Sequence, residues 1–142
     1  MDFITEMIDA AQAALEEDEW LCENAKIMAA FPGRALPTMP QKSIVCIGIS
    51  AIRLDNSEIG GDVKTAGVTL SVRVYTPFRR GSGERLTCCA KISGCLLQNG
   101  FAQSGQWTDE YADVTSSCYV CTAGFEKNTK LQMGGDSDAA DI

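Results

Sequence analysis

The side chains best able to do chemistry in this chain are its seven cysteines, Cys22, Cys46, Cys88, Cys89, Cys95, Cys118 and Cys121. Cys118 and Cys121 have the spacing of a zinc half-site or a redox dithiol. They lie in the apolar run Cys118-Tyr119-Val120-Cys121, which reads as a strand, and strand residues three apart point to opposite faces. Structural zinc needs four convergent ligands, and the chain has no second CxxC pair and no histidine. An odd cysteine count without a regular framework fits reduced thiols buried as small apolar side chains better than a disulfide scaffold. Cys88 and Cys89 are adjacent on a helix, so a single core is expected to bury at most one of them fully.

The lack of histidine also removes the commonest general base and every Ser-His or Cys-His nucleophile pair. Asp109, Glu110 and Asp113 cluster near a strand start, but no other group converges with them. Gly60-Gly61 and Gly81-Ser82-Gly83 have neither the Gly-Lys-Ser/Thr ending of a P-loop nor a dinucleotide fingerprint. Arg79-Arg80 stands before a helix N-terminus, where backbone N–H groups favour an anion, although a solvated turn capped by Ser82 explains the same residues. The expectation is a protein with no catalytic residues, metal ligands or cofactor, and hence no enzyme.

Nineteen acidic and twelve basic side chains leave a net charge of -7. That balance argues against gripping nucleic acid, which needs cationic groups to neutralise phosphates. The 142 residues suffice for a single domain, expected over residues 1–133, followed by the acidic tail 134–142. No apolar run approaches the ~20 residues of a membrane span. Met1-Asp2-Phe3-Ile4-Thr5-Glu6 has no basic segment or cleavage site of a secretion signal. The sequence therefore reads as soluble, with no membrane partner.

The elements that would position these residues follow from periodicity. Ile4, Ile8, Ala11 and Leu15, with Met7 and Ala14, make an amphipathic helix from about Asp2 to about Asp18. Trp20 to Phe31 admits a helical stretch through Leu21, Ala25 and Met28 or an extended run from Lys26 to Phe31, and is read as extended, before a connector marked by Pro32-Gly33, Pro37 and Pro40. Ser43 to Leu54, apolar on both faces, reads as an interior strand. The polar loop Asp55–Asp62 joins it to a strand in which Val68, Leu70, Val72 and Val74 alternate with Thr69, Ser71, Arg73 and Tyr75, the pattern of an antiparallel hairpin with a projecting tip. The turn Thr76–Gly83 leads to a helix over Glu84–Asn99, with a stripe of Leu86, Cys89, Ile92, Ser93, Leu96 and Leu97, stopped at Asn99-Gly100. After a linker from Phe101 to Gly105, Trp107–Val114 and Ser117–Phe125 read as a second antiparallel pair. Trp107, Tyr111 and Tyr119 are expected to pack on the sheet. The order α-β-β-α-β-β predicts an α+β fold of two helices on a mainly antiparallel sheet of about four strands.

The run Phe31-Pro32, Leu36-Pro37-Thr38, Ile44-Val45-Cys46-Ile47-Gly48-Ile49 and Val68 to Pro77, followed by an amphipathic helix, resembles the small tail-terminator and tail-completion proteins of long-tailed bacteriophages and prophages. The resemblance covers roughly Asp2 to Leu97 and rests on element order and strand texture. It implies a subunit that closes into a hexameric ring, caps the tail tube, and joins tail to capsid while DNA passes without specific binding. It also implies assembly in a bacterial host cytoplasm and residence in the virion neck. Seven cysteines and an acidic tail depart from the pattern. Subunit contacts are then expected at Asp55, Glu58, Gly60, Gly61 and Asp62 of the loop, at Arg73 and Tyr75 of the hairpin strand, and at Arg79 and Arg80 of the turn. Two other classes fit the same residues: a small cytosolic module holding an anion at Arg79 and Arg80, and an adaptor outside any virion.

Overall fold

A computed structural model of the chain describes residues 3–29, 41–55, 63–113 and 117–132. The first helix, α1 (Phe3–Glu16), buries Met7, Ile8, Ala11, Ala14 and Leu15, the stripe its spacing predicts. The expected extended stretch after it divides in two. Residues Glu19–Asn24 form a short helix, α2, whose N-cap Asp18 accepts the Leu21 N–H at 3.0 Å, and Ala25–Ala29 form a strand, β1. Six residues cannot hold a helix by propensity alone. The cap and the complete burial of Leu21 supply what the sequence window lacks.

The remaining strands are β2 (Ser43–Asp55), β3 (Val63–Pro77), β4 (Ala102–Asp113) and β5 (Cys118–Gln132), with α3 (Gly81–Gln98) between β3 and β4. They build one five-stranded sheet in the order β1-β2-β3-β5-β4. Only β1 against β2 is parallel; the other pairings are antiparallel. The fold is α+β, as expected, with α2 and β1 added to the predicted order.

The hairpin of β2 and β3 and the pairing of β4 with β5 stand as the alternation requires. Its tip, including Glu58, Gly60, Gly61 and Asp62, lies outside the described residues, as do the proline connector and the acidic tail. Pro77 ends β3 opposite Cys118 instead of breaking it at Thr76. A 3₁₀ turn, Phe78–Arg80, then leads directly into α3. The helix begins at Gly81, so Ser82 is in its first turn and not its cap, and Arg80 at the cap position makes no side-chain capping bond. At the other end Gly100, with φ +89°, completes the expected left-handed stop.

The helices lie on one face of the sheet. Val45 and Ile47 of β2, Val68, Leu70, Val72 and Val74 of β3, and Cys121, Ala123 and Phe125 of β5 join α1, α2 and α3 in the main core. The opposite face carries a smaller buried cluster of Ile44, Tyr75, Cys118 and Val120, flanked by Met28 and Cys46. β3 and β5 pair as far as Val63 and Gln132, whereas β4 begins opposite Glu126 and β1 stops opposite Ile47. Among the described residues, Val63–Val68 of β3, with the flanking ends of β2 and β5, thus form a three-stranded arm that runs roughly 20 Å past the last pairings of β1 and β4.

Candidate assembly surfaces

The buried side of α3 is Cys88, Cys89, Ile92 and Leu96. Leu86 and Leu97, expected within that stripe, are 61% and 55% exposed. Helical neighbours differ by about 100° in direction, and α3 packs on α1 as well as on the sheet, so a wide arc is covered. That is why Cys88 and Cys89 are both buried, at 0% and 5% exposure, where a single contact face would take one fully. All seven cysteines are thiols, and four of them (Cys88, Cys89, Cys118 and Cys121) are buried. Cys118 lies in the smaller cluster and Cys121 in the main core, on opposite faces as their spacing requires.

Burial pushes the Cys88 thiol up to about 12, with Glu84 and Cys121 adding to the effect. Cys89 is raised for the same reason, then by its contact with Cys121 and Cys88, against a smaller opposing effect of Arg85. Cys95 is raised by burial and by Asp18. Thiols held protonated are poor nucleophiles, and this cluster acts as packing. Among the described residues no group of three or more potential ligands is placed to hold a metal.

The expected contact residues fall in different places. Asp55 ends β2, opposite Thr65 on the arm. Arg73 and Tyr75 project from the face opposite the helices, where the Arg73 Nη1 donates to the Tyr75 Oη at 3.5 Å. Arg73 is half-buried, and Tyr75 is only 8% exposed. The polar face read from alternation is therefore apolar at its Tyr75 end, because Ile44 and Val120 stand beside Tyr75 on the neighbouring strands. Farther along this face, Ser50, Ser71, Ser104, Thr108, Thr122 and Gly124 line a shallow depression of about 380 Å³.

Arg79 is exposed, but Arg80 is committed inward. Its Nη1 donates to both Glu84 carboxylate oxygens at 3.1 and 3.2 Å and to Asn24 Oδ1 at 3.3 Å, and its Nε donates to the Gln41 carbonyl at 3.2 Å. Glu84 also accepts from the buried Ser43 hydroxyl at 3.1 Å, and Ser43 in turn reaches Thr76 at 3.4 Å. This network ties the starts of α3 and β2 to the end of α2. It occupies the guanidinium that an anion site would use.

Sequence reasoning missed the side of α3 that faces β4. Here Ser93 accepts the Trp107 indole N–H at 2.8 Å and donates to Gln103 Oε1 at 2.8 Å. Trp107 meets Phe125 edge to face, with ring centroids 6.0 Å apart. At the other end of the helix Phe78 meets Tyr119 edge to face at 4.9 Å, and the Arg85 guanidinium lies over the Tyr119 ring at 5.6 Å. These contacts bear out the expected packing of Trp107 and Tyr119. The Tyr111 side chain lies outside the described residues. A signal for the flank was present in sequence: Leu86, Ala90, Ser93 and Leu97 follow a helical step of their own beside the buried one.

Fold and surfaces define an α+β domain with a one-sided helical layer, a buried thiol cluster, a projecting arm and an apolar helix flank. A scan of protein-family models and a search of curated proteins find no match to the chain. No described helix is long and apolar enough to cross a membrane.

Proposed function

We propose that this chain is a structural assembly protein of a long-tailed phage or prophage, a tail-terminator or neck subunit that closes as a ring, six-membered by the resemblance, over the tail tube. In this reading it is not an enzyme. It assembles in the bacterial cytoplasm, contacts tail-tube and neck proteins, and lets DNA pass without gripping it.

The observation that carries the reading is the arm of β2, β3 and β5, which extends past the last pairings of β1 and β4. A strand extension whose strands β2 and β3 are joined by the polar residues 56–62 is suited to reach a neighbouring subunit, since connections between strands are where binding concentrates. The net charge of -7 supports a passage that repels the DNA backbone. The anion-binding alternative has less support, because Arg80 is already engaged by Glu84, Asn24 and Gln41.

The test is to delete the chain from a prophage that encodes it and image the particles after induction. The expected result is filled capsids separate from tails of unregulated length. Tails of normal length joined to capsids would overturn the proposal. Deleting only Gly60, Gly61 and their flanking loop asks whether the arm's tip is the working contact; normal particles from that variant rule the tip out.

A further inference from the structure

Cys89 of α3 and Cys121 of β5 are nucleophilic groups that the assembly role leaves unused. Both are buried in the main core, at 5% and 2% exposure. Arg85, one helical turn before Cys89, donates from Nη1 to Cys121 Sγ at 3.8 Å, which sets this turn of α3 over Cys121. The Cys89 and Cys121 thiols are themselves in hydrogen-bond contact. Cys121 and Ala123 are small side chains on the core face of β5, and α-carbons of α3 and β5 come within 8 Å of each other. A disulfide needs α-carbons within about 7 Å, and a helix lying close over small strand residues approaches that spacing. Cys88 points about 100° away around the helix, and Cys118 lies on the other face of the sheet.

We propose that Cys89 and Cys121 are a redox pair, which peroxide oxidises to a disulfide that ties α3 to β5. Cys121 loses its proton and its sulfur attacks a peroxide oxygen. The O–O bond breaks, the departing hydroxide leaves as water with that proton, and a sulfenic acid remains. The Cys89 sulfur then displaces the sulfenic oxygen, which departs as a second water with the Cys89 proton as the S–S bond forms. Two thiols are oxidised by two electrons and one peroxide is reduced to two waters. Arg85 stands beside Cys121 to offset the negative charge of the attacking sulfur. Burial keeps the Cys89 thiol protonated, so the reaction is slow at neutral pH and quickens as pH rises. The bridge closes a segment that contains β4 and restricts the unfolded chain, so the oxidised subunit is harder to unfold. The chain thus folds with reduced thiols and is locked afterwards in oxidising surroundings.

The test uses the full chain with Cys22→Ser, which removes the exposed thiol and with it cross-linking between molecules. The folded protein is incubated with hydrogen peroxide, its remaining thiols are alkylated in denaturant, and its peptides are sequenced by mass spectrometry without reduction. The expected product is lighter by two hydrogens and links Cys89 to Cys121, and it forms faster at about pH 9 than at about pH 7. Its unfolding constant in urea should fall roughly a hundredfold and return on adding a reductant. Cys89→Ala should abolish the bridge and Cys88→Ala should keep it. A bridge from Cys88, oxidation that stops at sulfinic acid, or linkage that forms only in urea would overturn the pairing, and the mapping decides this on the parent chain even where an alanine variant does not fold.

Discussion

Cys118 and Cys121 stand three residues apart on β5 and belong to different cores: Cys118 packs with Ile44, Tyr75 and Val120, and Cys121 with Val74 and the α3 thiols. Their spacing is that of a metal or redox pair, yet the sheet separates them. The cysteines of this chain serve two packing layers, and their accessibility differs accordingly.

Thiol labelling of the native protein should show one fast site, Cys22, followed by slower reaction at the half-buried Cys46 and Cys95. Cys88, Cys89, Cys118 and Cys121 should label only on unfolding. Peptide mapping after a brief pulse of maleimide reads this directly, and early modification of any of the last four contradicts the packing.

Alkali should destabilise the fold through the same thiols. Below the ordinary thiol value near 9, both folded and unfolded Cys88 are protonated and contribute no pH dependence. Above it the unfolded chain releases its proton while folded Cys88 holds it to about 12, so stability falls across that window. The slope is on the order of 1 kcal/mol per pH unit per buried thiol. Urea midpoints measured from pH 8 to 11 should decline, and Cys88→Ala should make the decline shallower even though it lowers stability at every pH.

Glu84 satisfies Arg80 and the buried Ser43 hydroxyl together. Glu84→Ala should cost about 1–3 kcal/mol in urea unfolding, because it removes the charged acceptor shared by Arg80 and the buried Ser43 hydroxyl and leaves them only Asn24, Gln41 and Thr76. Glu84→Gln should recover part of the loss by keeping the acceptor oxygen. Equal losses in the two variants would show that charge alone matters at this position.

Gly100 adopts φ +89° in the turn that releases α3 into β4. Gly100→Ala should cost roughly 1 kcal/mol from that backbone angle. An added Cβ meets only the Lys127 side chain at 3.5 Å, so crowding contributes little. A loss above ~3 kcal/mol would point to a rearranged turn.

In the main core Phe125→Ala should cost about 3–5 kcal/mol, since the ring is fully buried and packs against Trp107. Phe125→Leu should cost less. Trp107 emission should shift to the red in the alanine variant as water reaches the indole.

The sequence by itself determined what depends on short-range periodicity and local backbone chemistry. The α1 stripe, the β2–β3 hairpin, the β4–β5 pairing, the stop at Asn99-Gly100 and the opposed faces of Cys118 and Cys121 all follow from neighbours along the chain. Tertiary structure decided the rest. The stretch from Trp20 to Ala29 divides into α2 and β1 because Leu21 finds a core and Ala25 a parallel partner at Ser43, eighteen residues away in sequence. Tyr75 is buried because neighbouring strands place Ile44 and Val120 beside it, and Arg80 turns inward because Glu84 and Asn24 are there to meet it. Leu86 and Leu97 stay exposed because α1 takes the opposite flank of α3 and no described helix lies beyond them. Periodicity gives each element an apolar face, but the elements packed around it fix which part of that face is covered.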